Sequence, residues 1–368
     1  MPHLVAIDLP GGQGFVDALR RIWDAGDAAF PLDRRLPGAA RAGTLAAIAP
    51  DRLVNERGIH TLEGLEVEYG DALVVATSGT TGSPRGVVLT HDAVRASARA
   101  SSARLGVTNS DTWLACLPLS HVGGLSVITR AVLTGMGLVV HDGFDAEAVA
   151  AAAHDGATLV SLVPTALQRV DPQLFRRLVL GGSRPPEQLP ENVVTTYGMT
   201  ETGSGVVYDG LPLDGVEVRI DEHDEIHLRC AMLLRCYRDG SNPCIDGWFA
   251  TGDLGGLDDD GRLIVNGRRD ELIITGAENV WPATVEAVLT LHPAVAEVAV
   301  AGVTDPEWGQ RVVAWIVPVD AQAPPTLASI RALAGQSLPG FMAPKEVRIV
   351  DALPTTTSGK VRRHRLST

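Results

Sequence analysis

The sequence predicts an α/β protein, with a large layered N-terminal domain containing a β-rich subdomain and a small α+β C-terminal domain. Three observations lead there. Short apolar runs alternate with Ala-rich helical segments from about Asp71 to Leu180, the pattern of strands exchanged with helices across a layered sheet. Turn-rich two-residue alternation replaces it from Gly215 to Val265. The charged stretch Gly267-Arg268-Arg269-Asp270-Glu271 then precedes a last region with its own strand and helix patterns. The expected domains are residues 1–268 and 269–368.

In chain order, a helix is expected near Phe15 to Ala25, a strand over Ala72 to Ala76 and a helix over His91 to Arg104. A strand follows at Thr112 to Leu117, a helix at Ala146 to Ala153 and a strand at Thr158 to Leu162. Helices between successive strands favour parallel pairing. Val216 to Ile220 and Glu225 to Arg229 alternate with period two, as antiparallel strands do. Pro282 opens a helical run to Leu291, where a first-turn proline lacks only a bond the helix cannot make. Strands at Val295 to Val300 and Val312 to Val317 and a helix near Leu327 to Gln336 complete the last domain.

Composition narrows the function. The 368 residues, 45 % hydrophobic, suffice for two packed domains. Against 31 Lys+Arg stand 44 Asp+Glu, and the formal charge of -13 opposes a phosphate backbone, so nucleic acid is not an expected partner. The start MPHLVAIDLPGG has no basic stretch before an apolar run, and no later segment offers the roughly 18 uncharged apolar residues of a membrane span. A cytoplasmic protein with no membrane partner is expected. Cys116, Cys230, Cys236 and Cys244 form no CxxC pair, which reads as reduced, scattered thiols.

The most specific segment is Thr77-Ser78-Gly79-Thr80-Thr81-Gly82-Ser83-Pro84-Arg85-Gly86, after an apolar strand and before the helical run at His91. Glycines let backbone N–H groups approach anionic oxygens, hydroxyls donate further bonds, and Arg85 adds a charge-assisted one, which suits a polyphosphate. The pattern is not G-x-x-x-x-G-K-[ST], so kinase-like and GTPase-like readings lose their main support.

This loop resembles the phosphate loop of the adenylate-forming superfamily, which includes acyl-CoA synthetases, peptide-synthetase adenylation domains and luciferases. Four further segments resemble that superfamily's motifs in order: Tyr197-Gly198-Met199-Thr200-Glu201-Thr202 its adenine and magnesium segment, Gly247 to Leu254 its ribose segment, Gly267-Arg268-Arg269-Asp270 its hinge, and Pro354 to Lys360 its catalytic-lysine segment. The resemblance implies ATP, Mg²⁺ and coenzyme A as cofactor and co-substrates. Thr77, Ser78, Gly79, Thr80, Thr81, Gly82 and Arg85 would hold phosphates, and Tyr197 and Gly198 would contact the base. Thr200 would bond the α-phosphate and Glu201 would bind the metal. Asp253 would accept from the ribose hydroxyls with Arg268 beside the same sugar, and Asp270 would be the pivot of a C-terminal rotation. Lys360 would bridge carboxylate and phosphate, where charge develops during adenylation. Taken alone, Lys360 with Arg362, Arg363 and Arg365 also reads as a solvated basic tail. His121, in Leu117 to Gly124, stands where the superfamily gates its acyl pocket; a core histidine is the competing reading.

Three departures qualify the resemblance. Arg85 replaces the usual lysine, a planar fork for a point charge. Ala277 stands where many CoA ligases have a second glycine lining the pantetheine tunnel. The phosphate loop begins early, so much of the usual N-terminal subdomain is missing and a homodimer could cover the bared surface. The short N-terminal region, with Thr195 to Thr202 and Val207 to Val216, resembles compact actinobacterial o-succinylbenzoate-CoA ligases of menaquinone biosynthesis. The expected substrate is then a small aromatic carboxylic acid whose second carboxylate needs a cation or several hydrogen-bond donors, with Arg184 as candidate and a solvent-facing loop arginine as its competing reading. Another acid, a carrier-protein acceptor, a luciferase-like oxygenase and a non-catalytic nucleotide- or acyl-binding module are the alternatives.

Overall fold

The computed structural model describes residues 1–78, 84–186, 188–355 and 361–366. It is α/β, as expected. The first sheet orders seven strands as Cys236–Tyr237, Pro84–Thr90, Asp71–Ser78, Ala28–Pro31, Leu4–Asp8, Arg52–Asn55 and Gly58–Thr61. Leu4–Asp8 runs parallel to both neighbours. Helix Gln13–Asp24 is the one the sequence predicts, and it buries Phe15, Val16, Ala18, Leu19 and Ile22, the stripe of an amphipathic helix. The strands around it, and the helix Gly38–Ile48, were not expected. Leu4, Val5, Ala6 and Ile7 are all buried, as are Ala28, Ala29 and Phe30, so these runs carry no period-two signal.

Asp71–Ser78 pairs antiparallel with Pro84–Thr90, so both ends of the predicted phosphate segment, Thr77 and Ser78 on one side and Pro84 to Gly86 on the other, lie in paired strands. The second strand escapes a reading that places a helix soon after the loop, because it ends directly at the helix cap. The Thr90 Oγ1 accepts from the Ala93 N–H at 3.1 Å, starting helix His91–Leu105, and Gly106 at φ +58° ends it.

The second sheet orders Leu211–Pro212, Gly205–Tyr208, Val193–Gly198, Arg177–Leu180, Leu159–Leu162, Thr112–Ala115 and Gly137–Val140. The last five strands are parallel, with helices in most of the connections between them, as parallel pairing needs crossovers. Its core joins Leu114, Val149, Val160, Leu162, Phe175 and Leu178. A third sheet holds Glu217–Ile220, Glu225–Arg229, Trp248–Leu257, Cys244–Ile245 and Leu263–Arg268, matching the expected turn-rich strands. The fourth joins Glu278–Val280, Ile273–Thr275, Gly309–Pro318, Val295–Asp305 and Glu346–Ile349. Helices Pro282–Leu289 and Leu327–Ala334 pack on it through Val285, Leu289, Ile330 and Ala334.

The chain divides into two compact units: residues 1–219, 227–250 and 258–263, and residues 220–226, 251–257 and 264–368. Among the described residues, no helix is long and apolar enough to cross a membrane.

Candidate active site

In the first unit, paired strands hold both ends of the predicted phosphate segment. Thr77 pairs with Arg85, and the Thr77 Oγ1 donates to the Arg85 carbonyl at 3.4 Å. The backbone of Ser78 pairs with that of Pro84. Gly79, Thr80, Thr81 and Gly82 lie outside the described residues. The exposed Arg85 guanidinium stacks 3.7 Å from the centre of the Tyr237 ring and donates to Asp239 Oδ2 at 3.3 Å and Ser241 Oγ at 3.0 Å.

The predicted adenine and metal segment sits where strand Val193–Gly198 ends. The pairing shifts between Tyr197 and Gly198, and Gly198 comes so close to the next strand that a Cβ would stand 2.6 Å from the Gly205 Cα. Glycine is required there by contact, not by dihedral angle. Thr200 and Glu201 follow in the 3-10 turn Thr200–Thr202, whose buried Thr202 hydroxyl accepts from the Met199 N–H at 3.0 Å and donates to the Ser204 carbonyl at 2.7 Å. The Glu201 carbonyl accepts from the Leu234 N–H at 2.7 Å. Its half-buried carboxylate accepts from the Tyr237 hydroxyl at 3.0 Å on Oε1. A carboxylate offers two oxygens with several lone pairs, so one phenol leaves capacity for a hard cation that keeps water and phosphate oxygens as its other ligands. Glu201 therefore fits Mg²⁺.

His121 caps helix Val122–Thr134, with its Nε2 3.8 Å from Asp33 Oδ2. Asp33 also receives Arg35, at 2.9 Å on Oδ1 and 2.8 Å on Oδ2. Gly124 in the first turn of that helix abuts the backbone of Leu117 and Pro118, which holds the segment in place. Arg184 lies in an exposed loop after strand Arg177–Leu180.

In the second unit the structure brings together the two residues expected at the sugar. The Arg268 Nη1 donates to Asp253 Oδ1 at 3.2 Å and to the Thr251 carbonyl at 3.0 Å. Asp253 is buried on strand Trp248–Leu257, and its N–H donates to the Thr251 Oγ1 at 3.0 Å. Gly252, at φ +74°, takes a left-handed conformation beside it, where a Cβ would meet the Arg268 guanidinium at 3.2 Å. Asp270 is exposed in the 3-10 turn Arg269–Glu271, 3.7 Å from the Arg268 Nε, while Arg269 pairs with the buried Glu225. Ala277 adopts φ +68° in the two-residue turn joining Ile273–Thr275 to Glu278–Val280.

Lys360 lies outside the described residues, as do the four residues before it. Thr355 and Val361 form an antiparallel bridge, and the Arg362 N–H donates to the Pro354 carbonyl at 2.7 Å. Arg363 then reaches three elements. It donates to Glu286 Oε1 at 2.8 Å and Oε2 at 2.7 Å, to Glu271 Oε2 at 3.0 Å and to the Val300 carbonyl at 3.2 Å. The reading of this run as a solvated basic tail fails for Arg363. Sequence reasoning missed this clamp and Tyr237, because both depend on partners distant along the chain.

Comparison with known proteins is consistent along most of the chain. Residues 70–228 match the AMP-binding enzyme family, and residues 284–360 match the AMP-binding enzyme C-terminal domain. A probable 2-succinylbenzoate–CoA ligase of Mycobacterium tuberculosis (strain CDC 1551 / Oshkosh) is 41 % identical over 326 residues, covering 82 % of this chain and 85 % of the relative. The 2-succinylbenzoate–CoA ligase of Bacillus licheniformis is 39 % identical over 337 residues, covering 80 % and 69 %. The structure of o-succinylbenzoate CoA synthetase from Bacillus subtilis with the acyl-adenylate intermediate OSB-AMP superposes with a TM-score of 0.89 at 30 % identity, covering 100 % of this chain and 88 % of that one. The same enzyme with ATP and magnesium ion gives 0.88 at 30 % identity, covering 100 % and 89 %.

Proposed function

Because the chain belongs to the AMP-binding enzyme family, we propose that it is an ATP-dependent o-succinylbenzoate-CoA ligase working through an acyl-adenylate, in menaquinone biosynthesis. The observation that carries the substrate is the likeness to 2-succinylbenzoate–CoA ligases over four-fifths of the chain. In the first half-reaction a carboxylate oxygen of the acid attacks the α-phosphorus of ATP, and the bond to pyrophosphate breaks. In the second, the CoA sulfur attacks the acyl carbon and AMP leaves. No protein nucleophile is needed, so the residues act by position and charge.

On this reading the Thr77 to Arg85 segment holds phosphates, Tyr197 and Gly198 bound the base, and Thr200 donates to the α-phosphate. Asp253 accepts from the ribose hydroxyls while Arg268 fixes its carboxylate. Lys360 offsets the negative charge that grows between acid and phosphate, and His121 closes the acyl side. Glu201 holds Mg²⁺, which when bound neutralises phosphate charge and withdraws electrons from phosphorus. Residues 269–368 would pivot at Asp270 between the half-reactions. Cytoplasmic location and dimerisation belong to the same proposal; the exposed strand Gly58–Thr61, at the end of its sheet, is a surface a second copy could cover.

Pyrophosphate release with a panel of aryl and fatty acids tests the substrate. The reading expects o-succinylbenzoate to be preferred by kcat/KM. Preference for another acid would overturn the substrate, and no release with any acid would overturn the activity.

A further inference from the structure

We propose that Tyr237 is a positioning residue that orients the Glu201 carboxylate for its divalent cation and thereby sets the affinity for that ion. The inference rests on the reading of Glu201 as the metal ligand. Three features of the first unit carry it.

The first is the bond itself. The Tyr237 hydroxyl donates to Glu201 Oε1 at 3.0 Å, and Tyr237 is only 9 % exposed. A phenylalanine would fill the same space, so packing alone does not call for a hydroxyl beside a carboxylate. A phenol beside a carboxylate oxygen can only be the donor of the bond, since an ionised carboxylate has no proton to give.

The second is the rigidity of the donor. Cys236–Tyr237 pairs with Val88 and Val87 of strand Pro84–Thr90. The Tyr237 N–H donates to the Ser241 carbonyl at 2.8 Å and the Arg238 N–H to the Gly86 carbonyl at 2.7 Å. Three residues before Tyr237, the Leu234 N–H holds the Glu201 carbonyl, so one short segment grips Glu201 by backbone and side chain together.

The third is the placement of Arg85 over the same ring, 3.7 Å from its centre. Arg85, Tyr237 and Glu201 form one chain of contacts, from the predicted phosphate cation to the predicted metal ligand. A carboxylate held on one oxygen by a fixed donor presents the other in a set direction, as outer partners of metal ligands do, and loss of such a partner typically weakens metal binding about 10- to 100-fold.

The test uses the full chain carrying Tyr237→Phe, which keeps the ring. Mn²⁺ binding in the presence of ATP is read by electron paramagnetic resonance, and AMP binding without metal serves as the check on the nucleotide site. The expected result is a Mn²⁺ dissociation constant raised about 10- to 100-fold with AMP affinity unchanged. Unchanged Mn²⁺ affinity would overturn the inference, as would equal losses of Mn²⁺ and AMP binding, which mark general loosening. Glu201→Gln separates the two layers. If it weakens Mn²⁺ binding while Tyr237→Phe does not, only the positioning role falls; if it leaves Mn²⁺ binding intact, the assignment of Glu201 falls and the inference with it.

Discussion

Replacing Arg363 with alanine removes the group that ties the chain after Lys360 to the rest of the second unit. The guanidinium joins helix Pro282–Leu289 through both Glu286 oxygens, the turn Arg269–Glu271 through Glu271, and strand Val295–Asp305 through the Val300 carbonyl. Removing one partner of a buried pair costs about 3–5 kcal/mol, because the other charge stays buried. Side-chain exposures of 19 % for Arg363 and 18 % for Glu286 place this pair at the lower end, about 3 kcal/mol. The Val300 N–H donates to Glu286 Oε1 at 2.7 Å and remains in the variant, so its amide reports the local loss. Hydrogen exchange at Val300 and its strand neighbours should speed up roughly 10²-fold at neutral pH, since every 1.4 kcal/mol is tenfold. Burial pushes the Glu286 carboxyl upward even with Arg363 present, and in the variant that push acts without its counter-charge. A raised carboxyl binds more protons folded than unfolded, so the variant gains stability as pH falls. The deficit should be smaller at about pH 5 than at about pH 8. Less than about threefold faster exchange at Val300, or a deficit that grows on acidification, would refute the reasoning.

Ala277→Gly should stabilise the second unit. Relief of a left-handed alanine returns roughly 1–2 kcal/mol, and the freer unfolded chain takes back roughly 0.4–1, leaving about 0.5–1 in urea unfolding. Asp111→Asn should cost about 2 kcal/mol after discounting for the partly exposed Arg176, whose Nε and Nη2 bond the carboxylate at 2.7 and 2.6 Å. Burial opposes ionisation of Asp111, but Arg176, Thr108 and Thr158 outweigh it and hold the carboxyl well below the carboxylate range. A depressed carboxyl contributes fully above its unfolded value of about 3.9, so the difference should hold from neutral pH to about pH 4 and shrink only below that in pH-dependent melting. Lys360→Ala should slow pyrophosphate release about 10²- to 10³-fold while ATP still binds, measured by rapid quench and titration.

Much of this was readable in advance where a period shows. Helix Gln13–Asp24 shows its apolar stripe, and the strands Thr112–Ala115 and Leu159–Leu162 stand out as short apolar runs among Ala-rich helical segments, whereas the parallel strands Gly137–Val140, Arg177–Leu180 and Val193–Gly198 carry no comparable signal. Leu4–Asp8 and Ala28–Pro31, buried on both faces, do not alternate and were passed over. In the candidate site, Asp253 and Arg268 were both assigned to one sugar by resemblance, and the fold sets them 3.2 Å apart. Tyr237 could not be found that way, because its link to Glu201 depends on the pairing of Cys236–Tyr237 with a strand some 150 residues earlier. The same holds for Arg363, whose partners Glu271 and Glu286 lie 92 and 77 residues away in sequence.

The most direct measurement is mass spectrometry of the products formed from o-succinylbenzoate, ATP and Mg²⁺, with and without CoA. The account predicts enzyme-bound o-succinylbenzoyl-AMP and pyrophosphate without CoA, and o-succinylbenzoyl-CoA with AMP when CoA is added. Absence of the adenylate together with absence of the thioester would contradict it, and an adenylate that never passes to CoA would contradict its second half-reaction.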